Sequence, residues 1–240
     1  MAGMHNMLLG LQAGTGGGGV VISTVDMVDP FGDGSGIALY RFNGDATDAS
    51  GNYNGTATGV TYETGVFGQA GVFNASSINN RVNLSSKPIN NTDTYSISAW
   101  LKITTAGFGG IYCQNSAGWV GHGIEFMLGS NYIEFSHVRS DAVAYNGAVG
   151  TSQKIDGNFH HYVGVRSGTS IKLYEDGILV ASGSLTINTT ANSQNGYIGQ
   201  YQNNNNNTPQ GVKQIDQLRL FTRALTEAEV AILHIETITA

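Results

Sequence analysis

Tyr95–Ile103 reads YSISAWLKI, and its alternation decides the fold class. Tyr95, Ile97, Ala99, Leu101 and Ile103 interleave with Ser96, Ser98, Trp100 and Lys102. Successive side chains of an extended chain point to opposite faces, so a period of two predicts a strand with one buried face. Trp100, midway along it, reads as packing. Upstream lie similar short runs, IALYRF (37–42), AGVFN (70–74) and RVNL (81–84). Downstream come GGIYC (109–113), GIEFML (123–128), YIEFSHV (132–138), HHYVGVR (160–166), IKLYE (171–175), ILVASG (178–183), GYIGQ (196–200) and KQIDQLRLF (213–221). Gly, Asn, Asp and Ser separate them, as turns require. Gly129-Ser130-Asn131 predicts a tight hairpin. Glu175-Asp176-Gly177 predicts another, since both central positions of an Asp-Gly turn tolerate positive φ.

Only LTEAEVAILH (225–234) predicts a helix. Thr226 precedes Glu229 by three residues, a capping-box spacing, and Val230 and Leu233 supply an apolar stripe. About a dozen strands and one terminal helix predict an all-β protein, an antiparallel two-sheet sandwich. The run Asn203–Asn207 reads as a loop tip.

Composition narrows the function. Of 240 residues 34 are Gly, 3 are Pro and 12% are charged, with a net charge of −6. Eleven Lys and Arg spread along the chain form no stripe that could neutralise phosphates, which argues against a nucleic-acid binder. The single cysteine, Cys113, permits no intramolecular disulfide and no zinc spacing, and reads as a small apolar strand residue. Residues 1–36 differ from the rest: a short apolar stretch at Met7–Leu11, GTGGGG at 14–19, VVIST at 20–24 and DPFGDGSG at 29–36. Without Lys or Arg ahead of it, the apolar stretch is not expected to be a signal peptide, and no later run reaches membrane-span length. We therefore expect an extended N-terminal arm or linker over 1–36 and one domain over 37–240.

ALYRFNGDATDASGNYNG (38–55), YSISAWLKI, NFHHYVGVRSGTSIKLYEDGILVASG (158–183), YIGQY (197–201) and IDQLRLFTRALTEAEVAIL (215–233) occur in an order that resembles laminin-G-like domains of the concanavalin A-like lectin/glucanase superfamily. The likeness spans roughly residues 37–235 and implies a jelly-roll sandwich, a fold that hosts lectins, accessory modules, adhesion domains and virion proteins. Phe159 before the paired histidines and Asn43 after the strand aromatic depart from the usual pattern. In such relatives an acid in the last strand and residues near the end of the first strand often hold structural calcium. The resemblance thus nominates Asn43, Asp48 and Asp216, with an Asx-turn reading of the loop as the alternative. Asp216 has the parity of Leu218 and Leu220, and a carboxylate sharing their face would need a partner.

Other chemistry is weaker. Hydrolysis of a glycosidic bond needs two placed carboxyls, and Glu125 and Glu134 each lack an acidic partner two residues away, so we expect no enzyme. His160 and His161 point to opposite faces of a strand and cannot easily share an ion; His161, with the parity of Val163 and Val165, reads as a hydrogen-bonded core residue. Trp119, Tyr132, Tyr145 and Tyr201 lie near loops rich in amides and carboxylates, the ingredients of a carbohydrate site. The arm and the hydroxyl- and amide-rich surface lead us to expect a bacteriophage virion structural or adhesion protein, of capsid-decoration or tail-fibre type. It would contact other virion proteins through the arm and cell-surface glycans through the domain, with no nucleic acid or membrane insertion, and it could form homo-oligomers. The alternative is a secreted bacterial carbohydrate-binding module.

Overall fold

The computed structural model describes residues 27–74, 80–90, 93–114, 123–138, 145–185, 195–200 and 213–236. Its strands are β1 Gly36–Tyr40, β2 Gly55–Thr58, β3 Thr61–Thr64, β4 Gln69–Phe73, β5 Arg81–Leu84, β6 Thr94–Ile103, β7 Gly109–Gln114, β8 Gly123–Leu128, β9 Tyr132–Val138, β10 Tyr145–Ser152, β11 His160–Ser167, β12 Ser170–Glu175, β13 Ile178–Ser184, β14 Tyr197–Ile198 and β15 Lys213–Phe221. A single helix among the described residues, α1, spans Glu227–His234. One sheet runs β13-β12-β11-β6-β15-β4-β3, with β1 also paired to β15; the other runs β10-β9-β8-β7-β14-β5-β2. Pairing is antiparallel throughout.

Tyr95, Ile97, Ala99, Leu101 and Ile103 of β6 all enter the core between the sheets, where they meet Phe126, Leu128, Ile133 and Phe135 of the facing sheet. Burying such side chains supplies the main drive for folding, roughly 1.5–3 kcal/mol each. A second cluster lies on the outer face of the first sheet, where Val163, Val165, Tyr174 and Phe221 are roofed by Leu225, Val230 and Leu233 of the helical segment. The capping box at Thr226 and Glu229 forms as the sequence predicts. Asp176 and Gly177 take φ of 51° and 80° in the β12–β13 turn, which fits the Asp-Gly reading.

Three features depart from the strands read in the sequence. The polar stretch after β1 contains β2 and β3; both are four residues long and largely exposed, so they carry no apolar alternation. YNGAVGTS forms β10, which pairs with β9 despite its glycines. The parity of Asp216 fails because β15 carries a bulge. Gln217 adopts φ 48°, and the register with β6 slips between Asp216 and Arg219. One extra residue moves every later side chain of the strand to the opposite face. Ile215, Leu218 and Leu220 face the inter-sheet core, whereas Asp216, opposite Trp100, faces outward. Upstream of β1, Phe31 packs 5.8 Å from Phe221, and Asp33 accepts from Arg223 Nε at 2.6 Å, so contact with the domain begins before Ile37. Residues 1–26 lie outside the described residues.

Candidate functional site

The calcium candidates divide between two tasks. Asp48 is buried at the end of the first loop: Oδ1 accepts from the N–H groups of Leu39 and Ser50, and Oδ2 from Tyr53 N–H and the Ser50 hydroxyl. Asn43 Oδ1 accepts from Gln69 N–H at 2.7 Å. Asp216 Oδ2 accepts from Val66 and Phe67 N–H at 2.8 and 2.9 Å, pinning the β3–β4 turn onto the outer face of the first sheet. Burial pushes the Asp216 carboxyl up to about 6, against the pull of those two N–H groups. Asn43 and Asp216 thus grip one turn from two sides, and Asp48 closes a different loop. Calcium takes six to eight oxygens. Among the described residues only Asp216 Oδ1 of these carboxylate oxygens has no hydrogen-bond partner, and Asp48 turns both of its oxygens onto its own loop.

The paired histidines separate as their parity requires. His161 is buried, with Nε2 2.8 Å from Ser98 Oγ and its ring 5.1 Å from Trp100 and 5.9 Å from His234. Burial, then the neighbouring His234 and Arg219 charges, hold its pKa down to about 3, so it is a neutral packing residue. His160 sits between Asp176 (Nδ1 to Oδ2, 2.7 Å) and Asp156 (Nε2 to Oδ2, 3.1 Å). His160, Glu175 and Asp176 form the one group of three among the described residues whose donor atoms could converge on a cation. Lys154 already supplies the positive charge there, paired with both Glu175 and Asp176.

A groove of about 560 Å³ opens on the outer face of the second sheet, lined among the described residues by Tyr132, Glu134, Val149, Gly150, Thr151 and Ser152. Alternation sets its chemistry. Ile133 and Phe135 turn into the core, which leaves Tyr132 and Glu134 on the outer face. In β10 their direct neighbours are Ser152 and Gly150. A Cβ on Gly150 would meet the Ile133 carbonyl at 2.9 Å, so this position stays bare and the floor stays open. The Tyr132 ring, 37% exposed, lies on the hairpin backbone: a Cβ on Gly129 would come within 2.2 Å of it. Gln153 straps the same hairpin, its Nε2 donating to the carbonyls of Gly129 at 2.6 Å and Tyr132 at 3.1 Å. Glu134 is only 9% exposed, and among the described residues its Oε1 has no hydrogen-bond partner. Burial raises its pKa, the Ser136 hydroxyl acting the other way; burial and then the Glu134 charge raise that of Tyr132.

Of the four aromatics nominated from sequence, the structure places Tyr132 in this groove. Tyr145 begins β10, opposite Val138, and its side chain lies outside what is described, as do Trp119 and Tyr201 altogether. Glu125 and Glu134 share the outer face as diagonal neighbours, since Glu125 pairs with Ser136 and Glu134 with Met127. Glu125, however, is 1% exposed and does not line the groove. Sequence reasoning missed Gly129, Gly150 and Gln153; the glycines were visible only as turn and spacer residues, and the strap made by Gln153 has no local signature.

Two antiparallel sheets, a polar groove with an aromatic wall and a roofing helix define a lectin-like jelly roll. A family model described as the concanavalin A-like lectin/glucanases superfamily, of laminin-G type, matches residues 75–231, more than half of the chain, and the protein belongs to that family. No curated protein matches it in sequence. Among solved structures it is similar to the binding domain of Paraclostridial Mosquitocidal Protein 1, with a TM-score of 0.65 and 17% identity over 82% of this chain and 51% of that one. It is also similar to domain 4 of AbnA, an extracellular arabinanase from Geobacillus stearothermophilus solved with arabinotriose, with a TM-score of 0.59 and 23% identity over 82% and 97% of the two chains. The binding domain of Botulinum Neurotoxin DC, solved with SialylT, gives a TM-score of 0.61 and 16% identity over 84% and 51%. The chain spans about half the length of the toxin binding domains it matches. Among the described residues no helix is long and apolar enough to cross a membrane.

Proposed function

We propose that this protein is a non-enzymatic carbohydrate-binding domain, and that the groove on β9 and β10 is where it receives a sugar. The carrying observation is the partly exposed Tyr132 ring beside the buried Glu134 carboxylate, which among the described residues keeps one oxygen without a partner. An aromatic face accepts the C–H side of a pyranose or furanose ring, and an unpartnered carboxylate oxygen accepts a hydroxyl. Only one carboxylate lines the groove among the described residues, whereas glycoside hydrolysis needs two flanking the bond, which favours binding over turnover. The similar arabinanase domain, solved with arabinotriose, and the toxin binding domains support a module that holds glycans. Glycan-array screening of the full chain, followed by calorimetry on the hits, tests this. Tyr132→Ala should weaken binding at least tenfold, in line with the ~1.4 kcal/mol that separates tenfold affinities. A hit that Tyr132→Ala leaves unchanged places the sugar elsewhere.

The setting we propose is a bacteriophage virion surface, with the N-terminal arm contacting other virion proteins and the domain displayed toward cell-surface glycans. Its support is the composition of residues 1–36, where a glycine run at 14–19 separates two apolar stretches, unlike the sequence of the domain that follows. Copurification with a particle, in a fixed copy number, is the expected result. Recovery free in the culture medium, with no particle, favours a secreted carbohydrate-binding module instead.

A further inference from the structure

The groove carries one formal charge among its described lining residues, and that charge is negative. Glu134 provides it, and no described lysine or arginine lines the groove to offset it. The nearest basic residue along the chain after β10, Lys154, is committed to Glu175 and Asp176. The protein as a whole is also acidic, at −6. Glu134 is 9% exposed, it stands on the strand face beside the bare Gly150, and among the described residues its Oε1 has no hydrogen-bond partner. A largely desolvated carboxylate of this kind accepts hydroxyl or ammonium donors and repels a second anion at contact distance, where like charges are costly.

From this geometry we infer that the groove selects neutral and cationic glycans, such as unmodified hexose or pentose units and free amino sugars, and rejects sialylated, uronate-bearing and sulfated ones. The inference rests on the carbohydrate-binding reading above and gives it a substrate class. Selection comes from two groups with separate roles. Tyr132 supplies contact area indifferent to charge, and Glu134 supplies the sign. The discrimination should weaken with rising salt, because the groove is open to solvent and its field is screened. It should also weaken on acidification, because burial already raises the carboxyl's pKa.

The test is a glycan array carrying neutral, amino and anionic glycans, probed with the wild-type chain, Tyr132→Ala and Glu134→Gln at low and high salt. Wild type should bind its best amino or neutral glycan at least tenfold more tightly than any anionic glycan of the same ring series. Glu134→Gln should move the two classes in opposite directions, weakening neutral and amino glycans while strengthening anionic ones. A merely structural role for Glu134 would lower both together, and that result overturns the inference. Binding of a sialylated or uronate glycan that Tyr132→Ala abolishes overturns it too, while leaving the carbohydrate-binding reading intact. Silence on every glycan overturns the reading and the inference with it.

Discussion

Lys213 opens β15 yet is 1% exposed, and its pairing with Ile103 and Phe73 turns it toward the space between the sheets. Its ammonium donates to the Gly199 carbonyl at 2.7 Å and lies 5.7 Å from the Phe73 ring centroid, with no ion pair among the described residues. Burial lowers its pKa from 10.5 to about 7. The difference of about 3.5, at roughly 1.4 kcal/mol for each factor of ten, corresponds to about 5 kcal/mol. Between pH 7 and 10.5 the unfolded chain holds this proton and the folded chain does not. Stability from this group therefore rises with pH across that window and is lost as pH falls back toward 7. Lys213→Met keeps the stem and removes the titration. We expect the mutant to be more stable than wild type at pH 7, because the folded chain no longer has to bury a lysine charge or give up its proton. Its advantage should shrink by at least about 2 kcal/mol, and up to about 5, between pH 7 and 10.5. Urea unfolding followed by tryptophan fluorescence at half-unit pH steps measures this, and taking the difference between the two proteins cancels the tyrosines that titrate in the same range. A difference that stays flat across the window refutes the argument.

Gly129→Ala should reduce glycan binding at least fivefold, because the new methyl displaces the Tyr132 ring from the hairpin backbone; a melting temperature within a few degrees of wild type would show that only the wall of the groove moved. Gly199→Ala should destabilise by about 3 kcal/mol or more in urea unfolding, since φ is 88° and the added carbon would lie 1.9 Å from the Phe73 ring; a change below about 1 kcal/mol would contradict this packing. Asp48→Ala should cost about 3 kcal/mol by stranding the N–H groups of Leu39, Ser50 and Tyr53. The same hydrogen bonds lead us to expect that a calcium chelator leaves the wild-type transition in place, and a chelator-sensitive transition would return the first loop to the ion.

How far the sequence could be read depended on where its period held. In β6 the alternation is unbroken over nine residues, and every inward position predicted from it is in the core. The Asp-Gly turn and the capping box were legible for a related reason, because each is a local arrangement that its own residues impose. β15 breaks the rule through one residue. Nothing in KQIDQLRLF announces that Gln217 will turn to positive φ, and the parity assigned to Asp216 was wrong from that point on. What decides such a bulge is tertiary: the inner face must present Ile215, Leu218 and Leu220 to one core, while Asp216 must reach Val66 and Phe67 on the other side.

The groove shows the same limit at the level of function. Tyr132 and Glu134 sit two apart in a strand, a spacing common to any alternating sequence, and as a lone acid Glu134 argued only against hydrolysis. Its meaning depends on Gly150, which faces it from β10, a strand the sequence did not disclose because glycine and asparagine weaken its pattern. A side chain at 150 would have filled the floor between the two strands, and a side chain at 129 would have lifted the ring. The proposed recognition surface is therefore specified as much by two absent side chains as by two present ones. Absence of a side chain reads in sequence as a turn or a spacer until register gives it a neighbour. For that reason substitution at Gly129 and Gly150, each by alanine, tests the site more sharply than removing its polar groups: both should reduce glycan binding, and their effects should not add, since each disturbs the same ring or floor within one groove.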